Sequence, residues 1–301
     1  MDREISLERD DATEQAFIRE SSSLSLSNSA PLPQLALISR LCNGAKFQST
    51  GARLPPAQRS VKGDPTDTAV LRFAEESLQK CFAMNISSDV LPILTTTFKK
   101  IFEIPFNSRN KWMMSVVQER KAEGDNSAAT DIDRIEPVSE PWMLIKGAPD
   151  VLFPSVSSIL HADGVSVPFD AAHKDRLLRA QAQWSSEGQR VIAVCKRSLD
   201  GIKLSDNENE LDDILYSEIQ DLTLVGLISI RDPPRAEVKD AVQVIRAAGI
   251  RIFMVTGDFM LTAVAIAKQV RCFLNSLQWL NPNIFSFPFP FLGRNYHSGA
   301  L

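Results

Sequence analysis

The sequence predicts an α/β fold in two successive parts: an antiparallel sheet with flanking helices over about residues 34–221, then a partial doubly wound parallel unit over about 222–270. Three observations carry that expectation. Short apolar runs, Phe98 to Ile104 and Trp112 to Gln118, lie on either side of the turn residues Asn107-Ser108-Arg109-Asn110, as in a hairpin. Segments with helical spacing and cap residues frame them. At Leu222 the pattern changes to a continuous apolar run, a helix and a second continuous run, which is how a βαβ unit with doubly buried strands reads.

Composition bounds what such a fold can do. The 301 residues are 44% hydrophobic and 23% charged, the balance of an ordinary globular chain. Lys and Arg number 33 against 37 Asp and Glu, leaving a formal charge of −4 and no basic surplus for a phosphate backbone, so nucleic acid is not an expected partner. No apolar run approaches the about 20 residues of a membrane-spanning helix. The acidic N-terminus lacks the basic and apolar regions of a signal peptide, so the expectation is a cytoplasmic chain. Cys42, Cys81, Cys195 and Cys272 are scattered without a CxxC, the pattern of reduced core thiols rather than a disulfide framework or a zinc site.

In chain order, residues 1–33 are charged, then Ser-rich, then Pro31-Leu-Pro33, and read as a disordered lead. Leu35, Leu37, Ile38 and Leu41 have helical spacing. Asp64-Pro65-Thr66-Asp67 supplies an N-cap, an N1 proline and an N3 carboxylate for a helix to about Phe82, burying Val70, Phe73, Ala74, Leu78 and Cys81. After the hairpin and a polar insert at 119–140, Trp142 to Lys146 reads as a strand and Ala148-Pro149-Asp150 as a helix start. Asp170 caps a helix to about Ser186, and Arg190 to Lys196 is another strand. The stretch 199–220, with six carboxylates between Asp206 and Glu218, reads as a solvated loop. Leu222 to Ile230 is a buried strand, followed by a helix presenting Val238, Ala241, Val242, Ile245 and Ala248 and closed by Gly249. Ile250 to Val255 is a second buried strand and about Met260 to Gln269 a helix, joined by a right-handed crossover. The aromatic, proline-rich tail 271–301 fits no folding pattern and reads as disordered.

Thr256-Gly257-Asp258 stands where a strand hands over to a helix, the place where parallel sheets bind anions. Its glycine admits backbone amides, its threonine adds a hydroxyl, and its carboxylate suits Mg2+ or a phosphate-bound water. Phe106-Asn-Ser-Arg-Asn-Lys111, Lys146-Gly-Ala-Pro149, Asp232-Pro-Pro-Arg235 and Met254-Val-Thr-Gly-Asp258 occur in one order. With Leu41-Cys42-Asn43, Gly63-Asp64-Pro65-Thr66-Asp67 and Gly188-Gln-Arg-Val191, this order resembles the P-type ATPases, in particular the Na+,K+/H+,K+ type, over about residues 35–270.

The resemblance implies an ATP-binding domain without a Walker A loop, followed by part of a haloacid-dehalogenase-like phosphorylation domain. By that likeness Phe106 stacks on adenine, and Lys146 and Gly147 line its cleft. Lys111 adds positive charge there, Arg190 reaches the phosphates, and Asp67 stands where the family usually has glutamate, with a shorter reach. Asp232, Arg235, Thr256, Gly257 and Asp258 would help position the transferred phosphoryl group, and the family's Mg2+ would find only an incomplete site here. The parent activity implied is ATP-driven cation transport by an integral membrane pump with this region on the cytoplasmic side. Taken alone, the same residues have plainer readings: Phe106 as core, Lys146 as an edge lysine, Arg190 as a surface cation, Asp67 as a helix N3 charge.

The family's DKTGT nucleophile and TGDGVND loop do not occur in these 301 residues, so the expectation is ATP binding without turnover by a fragment or altered gene product. The rivals are a non-catalytic nucleotide- or partner-binding regulatory module and, less well supported, a soluble phosphatase of the haloacid-dehalogenase type.

Overall fold

The computed structural model describes residues 4–6, 26, 30–48, 54–81, 90–120, 140–205 and 207–272. In chain order the elements are β1 (Glu4–Ser6), α1 (Pro31–Leu41), β2 (Lys46–Phe47), β3 (Val61–Lys62), α2 (Pro65–Cys81), α3 (Leu91–Thr97), β4 (Phe98–Ile104), β5 (Trp112–Glu119) and β6 (Trp142–Gly147). There follow α4 (Pro149–Leu152), β7 (Val156–Leu160), β8 (Ser166–Pro168), α5 (Ala171–Ser186), β9 (Gln189–Ser198), α6 (Glu208–Ser217), β10 (Leu222–Arg231), α7 (Val238–Ala247) and α8 (Met260–Gln269). Contacts divide the chain into a larger unit, Met1–Pro233 with Thr256–Ile266, and a smaller one, Pro234–Val255 with Ala267–Leu301.

One mixed sheet organises the larger unit, in the order β4-β5-β6-β9-β10-β7-β8, with β1 also paired to β10. From β4 to β10 every neighbour is antiparallel; β10 meets β7 parallel and β7 meets β8 antiparallel. The strand period of two separates two cores. Met113 and Val117 of β5, Leu144 of β6, Ile192 and Val194 of β9 and Val225 and Ile228 of β10 form one cluster, which Leu35, Leu37 and Ile38 of α1 and Val70, Phe73 and Leu78 of α2 complete. Met114 and Val116, Met143 and Ile145, Ala193 and Cys195, and Leu222 and Leu224 form the other, with Leu152 of α4 and Leu211 and Leu215 of α6.

Local signals place the helices. Asp64 Oδ1 accepts from the amides of Thr66 (2.7 Å) and Asp67 (3.2 Å), satisfying donors that the first turn of α2 leaves open. Asp170 Oδ1 does the same for His173 N at 2.8 Å at the head of α5. Cys42, Cys81 and Cys195 are buried free thiols and Cys272 is half-buried. Burial pushes Cys81 up to about 11 and raises the other two buried thiols as well.

Several expectations are corrected. The segment 199–220 is not merely a solvated loop: it carries α6, because Leu211, Ile214 and Leu215 share one helical face, with Leu215 fully buried, while Glu210 and Asp213 are exposed. Leu222 to Ile230 does not open a second domain. As β10 it sits inside the first sheet, where helices on both faces make even an antiparallel strand continuously apolar.

Ile250 to Val255 forms no strand, and Ile250, Phe253 and Val255 are 58%, 74% and 96% exposed. The described neighbours of β10 are β9 on one edge and β7 and β1 on the other, so the expected pairing of the two apolar runs as a βαβ unit is not made. In the smaller unit α7 buries only Val242 of its apolar residues, and Gly249, at φ 73°, ends it as expected.

Helix α1 starts at Pro31, ahead of Gln34. The lead expected at 1–33 lies largely outside the described residues, but Glu4–Ser6 pair with Ser229–Arg231 and Leu26 is fully buried, so at those points it is attached. Most of the polar insert and the tail beyond Cys272 also lie outside the described residues.

Candidate nucleotide-binding site

Four of the expected residues converge on the first turn of α2. Asp67, one turn inside the helix, places Oδ1 2.7 Å from Lys146 Nζ at the end of β6, and its Oδ2 accepts from Gly44 N at 2.9 Å. The Lys146 and Asp67 side chains are 5% and 14% exposed. The preceding residue, Thr66, accepts a hydrogen bond on Oγ1 from Arg190 Nη1 at 2.8 Å, at the start of β9. Arg190 Nη2 lies 2.8 Å from Asp258 Oδ1.

The loop after α1 is shaped to this purpose by Asn43. Its Nδ2 donates to the carbonyls of Ser39 and Asp67, both at 3.1 Å, and its Oδ1 accepts from Ala45 N at 2.8 Å. Gly44 is thereby held with its amide on the Asp67 carboxylate. Asp67 is therefore more than a helix N3 charge, and Lys146 is a buried, paired cation rather than an edge lysine.

Phe106 is not core: it is 58% exposed, at the tip of the loop between β4 and β5. Asn107 Oδ1 braces that loop by accepting from Arg109 N (3.1 Å) and Asn110 N (2.8 Å). Lys111 closes it at φ 59°, donating from its amide to Asn107 O, while its carbonyl accepts from Ala148 N at 3.0 Å. Gly147 has a structural reason to be glycine: a Cβ there would stand 2.6 Å from both Lys111 O and Trp112 Cβ. The neighbouring strand, rather than an approaching ligand, excludes a side chain at this point.

Beside the loop lies a cavity of about 510 Å³ lined by Asn107, Arg109, Asn110 and Tyr216. Tyr216 of α6 takes a hydrogen bond from Asn110 Nδ2 at 3.0 Å and tilts against Trp112, ring centroids 5.3 Å apart. Tyr216, Thr66 and Gly44 are the residues that the sequence reading missed. Thr66 lies inside one motif already singled out and Gly44 follows another, while Tyr216 lay in the acid-rich stretch assigned to a loop.

Of the phosphorylation-type residues, Asp232, Thr256, Gly257 and Asp258 belong to the larger unit, where Asp258 N bonds Thr256 Oγ1 at 3.1 Å. Thr262, 2% exposed, ties the same segment to Gln189 O at 2.9 Å. Gly257 faces open space. Asp232 is half-buried after β10, and Arg235, exposed, accepts on its carbonyl from Val238 N at 3.1 Å. Among the described residues no group of three His, Cys, Asp or Glu stands ready for a metal ion. Asp258, already paired with Arg190, does not by itself make a Mg2+ site.

No helix among the described residues is long and apolar enough to cross a membrane. Residues 31–237 match the family described as P-type ATPase, cytoplasmic domain N, a span that includes β10 and so carries this domain past residue 221. The chain is 36% identical over 238 residues to the sodium/potassium-transporting ATPase subunit alpha-A of Artemia franciscana, covering 79% of this chain and 21% of that protein. It is 34% identical over 236 residues to the potassium-transporting ATPase alpha chain 2 of Cavia porcellus, covering 78% and 20%. Against the sodium/potassium-transporting ATPase subunit alpha of Tetronarce californica it is 35% identical, again over 78% and 20%. The chain thus spans about a fifth of the length of these relatives. With its helix-covered antiparallel sheet and its cations gathered at the head of α2, the chain belongs to the P-type cation ATPases and carries their cytoplasmic domain N.

Proposed function

We propose that this domain binds ATP, as the nucleotide-gripping part of a cation pump, and that this chain alone holds the nucleotide without turning it over. The observation that carries the reading is Phe106, a large aromatic ring 58% exposed on a braced loop of a domain N fold. An exposed ring on a rigid loop is a stacking platform for a purine. Lys111, on the same loop, adds positive charge beside the ring, and Arg190 supplies a planar fork of donors for the phosphates. Asp67 holds Lys146 in place at the end of β6. In the parent protein, ATP hydrolysis through an aspartyl phosphate, with Mg2+ neutralising the phosphates, would drive a cation across the membrane while this domain faces the cytoplasm. The DKTGT aspartate that chemistry requires is not in these 301 residues.

A site with one stacking ring and half-exposed cations binds weakly, with Kd roughly 0.1–1 mM, or about −4 to −5.5 kcal/mol. Titrating ATP into isotope-labelled protein should shift resonances of the 105–111 loop at millimolar nucleotide and return the ATP unhydrolysed. Phe106→Ala should weaken binding by about 1–3 kcal/mol while leaving Tm unchanged, since the ring is not in the core. No shifts by several millimolar ATP would end the proposal.

A further inference from the structure

Arg190, the cation offered to the phosphates, already has an anion on it. Its Nη2 donates to Asp258 Oδ1 at 2.8 Å and its Nη1 to Thr66 Oγ1 at 2.8 Å, so both tips of the guanidinium fork are engaged within the chain. Among the described residues Asp258 is the carboxylate paired with this guanidinium. The Arg190 and Asp258 side chains are 39% and 19% exposed, so a dissolved anion can reach the pair.

The carboxylate is held in position by its own segment. The Asp258 amide donates to Thr256 Oγ1 at 3.1 Å, a hydroxyl-braced turn across Gly257. In the first turn of α8, Thr262 is 2% exposed and donates its hydroxyl proton to the carbonyl of Gln189, the neighbour of Arg190 on β9, at 2.9 Å. A buried hydrogen bond therefore anchors the segment to β9, and the half-exposed ion pair beside it is the contact that can exchange without releasing the rest.

We propose that Asp258 is an internal competitor for the phosphate-binding guanidinium, displaced by a nucleotide's phosphate chain, and that it sets how little this domain distinguishes nucleotides by phosphate count. The inference rests on the reading of Arg190 as a phosphate-binding residue. A carboxylate and a phosphate ask the same of a guanidinium, charge-assisted N–H···O bonds in its plane. With Asp258 in place the charge of Arg190 is neutralised, and an arriving phosphate meets a second anion at close range. A ligand whose site is open only part of the time loses affinity by that fraction, so a pair closed roughly nine-tenths of the time weakens phosphate binding about tenfold. A base stacked on Phe106 loses nothing by it. Adenosine and ATP should then bind the wild type nearly alike, and removing the Asp258 charge should restore a preference for phosphates.

The test titrates adenosine, ATP and inorganic tripolyphosphate into the metal-free full chain, as wild type, Asp258→Asn, Arg190→Gln and the double variant. ATP should bind the wild type within about threefold of adenosine and bind Asp258→Asn about tenfold more tightly than the wild type, with adenosine unchanged. Tripolyphosphate should show the same gain, and Arg190→Gln should abolish the gain for both anions. In the wild type itself, the Asp258 carboxyl carbon resonance should move to its unpaired position as tripolyphosphate saturates Arg190, a readout that needs no variant to fold. Equal tripolyphosphate affinity in wild type and folded Asp258→Asn overturns the proposal. So does an Asp258 carboxyl signal that stays in place while Arg190 signals shift, which would mean that one guanidinium holds both anions at once. Adenosine that fails to bind, beside an Arg190-dependent tripolyphosphate gain, would end the nucleotide reading and leave the competition standing; adenosine that binds, without that gain, would do the reverse.

Discussion

Lys146 is 4% exposed and has the Asp67 carboxylate at 2.7 Å, so removing that carboxylate strands a charge in the interior. Breaking such a pair from one side costs about 3 kcal/mol or more, whereas replacing both partners with apolar groups costs far less. Urea unfolding should show Asp67→Ala strongly destabilised and Asp67→Ala/Lys146→Met closer to wild type; an additive double mutant would mean that the pair is not coupled. Lys196 makes a prediction of another kind. A lysine in the unfolded chain keeps its proton to about pH 10.4, while burial brings Lys196 down to about 8. Between those values the unfolded state binds the additional proton, so this group makes stability rise with pH: its cost is present in full below pH 8 and is relieved above it. From pH 7.5 to 9.5 the wild type should gain about 2 kcal/mol relative to Lys196→Met. Parallel pH profiles for the two proteins would contradict it.

The elements show what the sequence could and could not disclose. Helices α2 and α5 were legible almost to the residue, because Asp64 and Asp170 are local caps whose partners lie two or three residues away. The hairpin of β4 and β5 was legible for the same local reason. Strand β10 was legible as buried but not in its pairing, since partner choice depends on β9 and β7, and no periodicity in Leu222 to Ile230 encodes that. In α6 the density of carboxylates hid three apolar residues at helical spacing. Leu215→Ala should therefore cost about 2–5 kcal/mol, while Asp213→Asn on the exposed face should stay within about 0.5 kcal/mol. Equal effects in denaturant melts would return the segment to a loop. In the candidate site, the sequence marks the residues as motif members, but the Asp67–Lys146 and Arg190–Asp258 pairs join positions far apart in sequence, which no local pattern reveals.

At the scale of the whole molecule the division of the chain follows the sheet. Because β10 lies between β9 and β7, a proteolytic core cannot end near residue 220 without losing a central strand. Limited proteolysis should instead cut first in the exposed stretch 250–255, and the fragment carrying Thr256–Ile266 should stay with the core through Asp258 and Thr262. Gel filtration after nicking at neutral pH and low salt should find both pieces in one peak; a separated C-terminal piece would show these two contacts to be insufficient.

The place of β10 also sets an order on synthesis. Strands β4, β5, β6 and β9 follow one another along the sheet and can add one by one as they leave the ribosome, but β7 and β8 lie beyond a gap that β10, the last of these strands to be made, fills. Until residue 231 has emerged, the hairpin β7–β8 has been translated for dozens of residues without a sheet to join, and the nascent domain presents two unfinished edges, that of β9 and that of β7, to solvent. Closure then comes in one step, through pairings distant in sequence and therefore slow. The nascent domain is exposed to chaperones and to mispairing for that whole interval, and the last strand ends it.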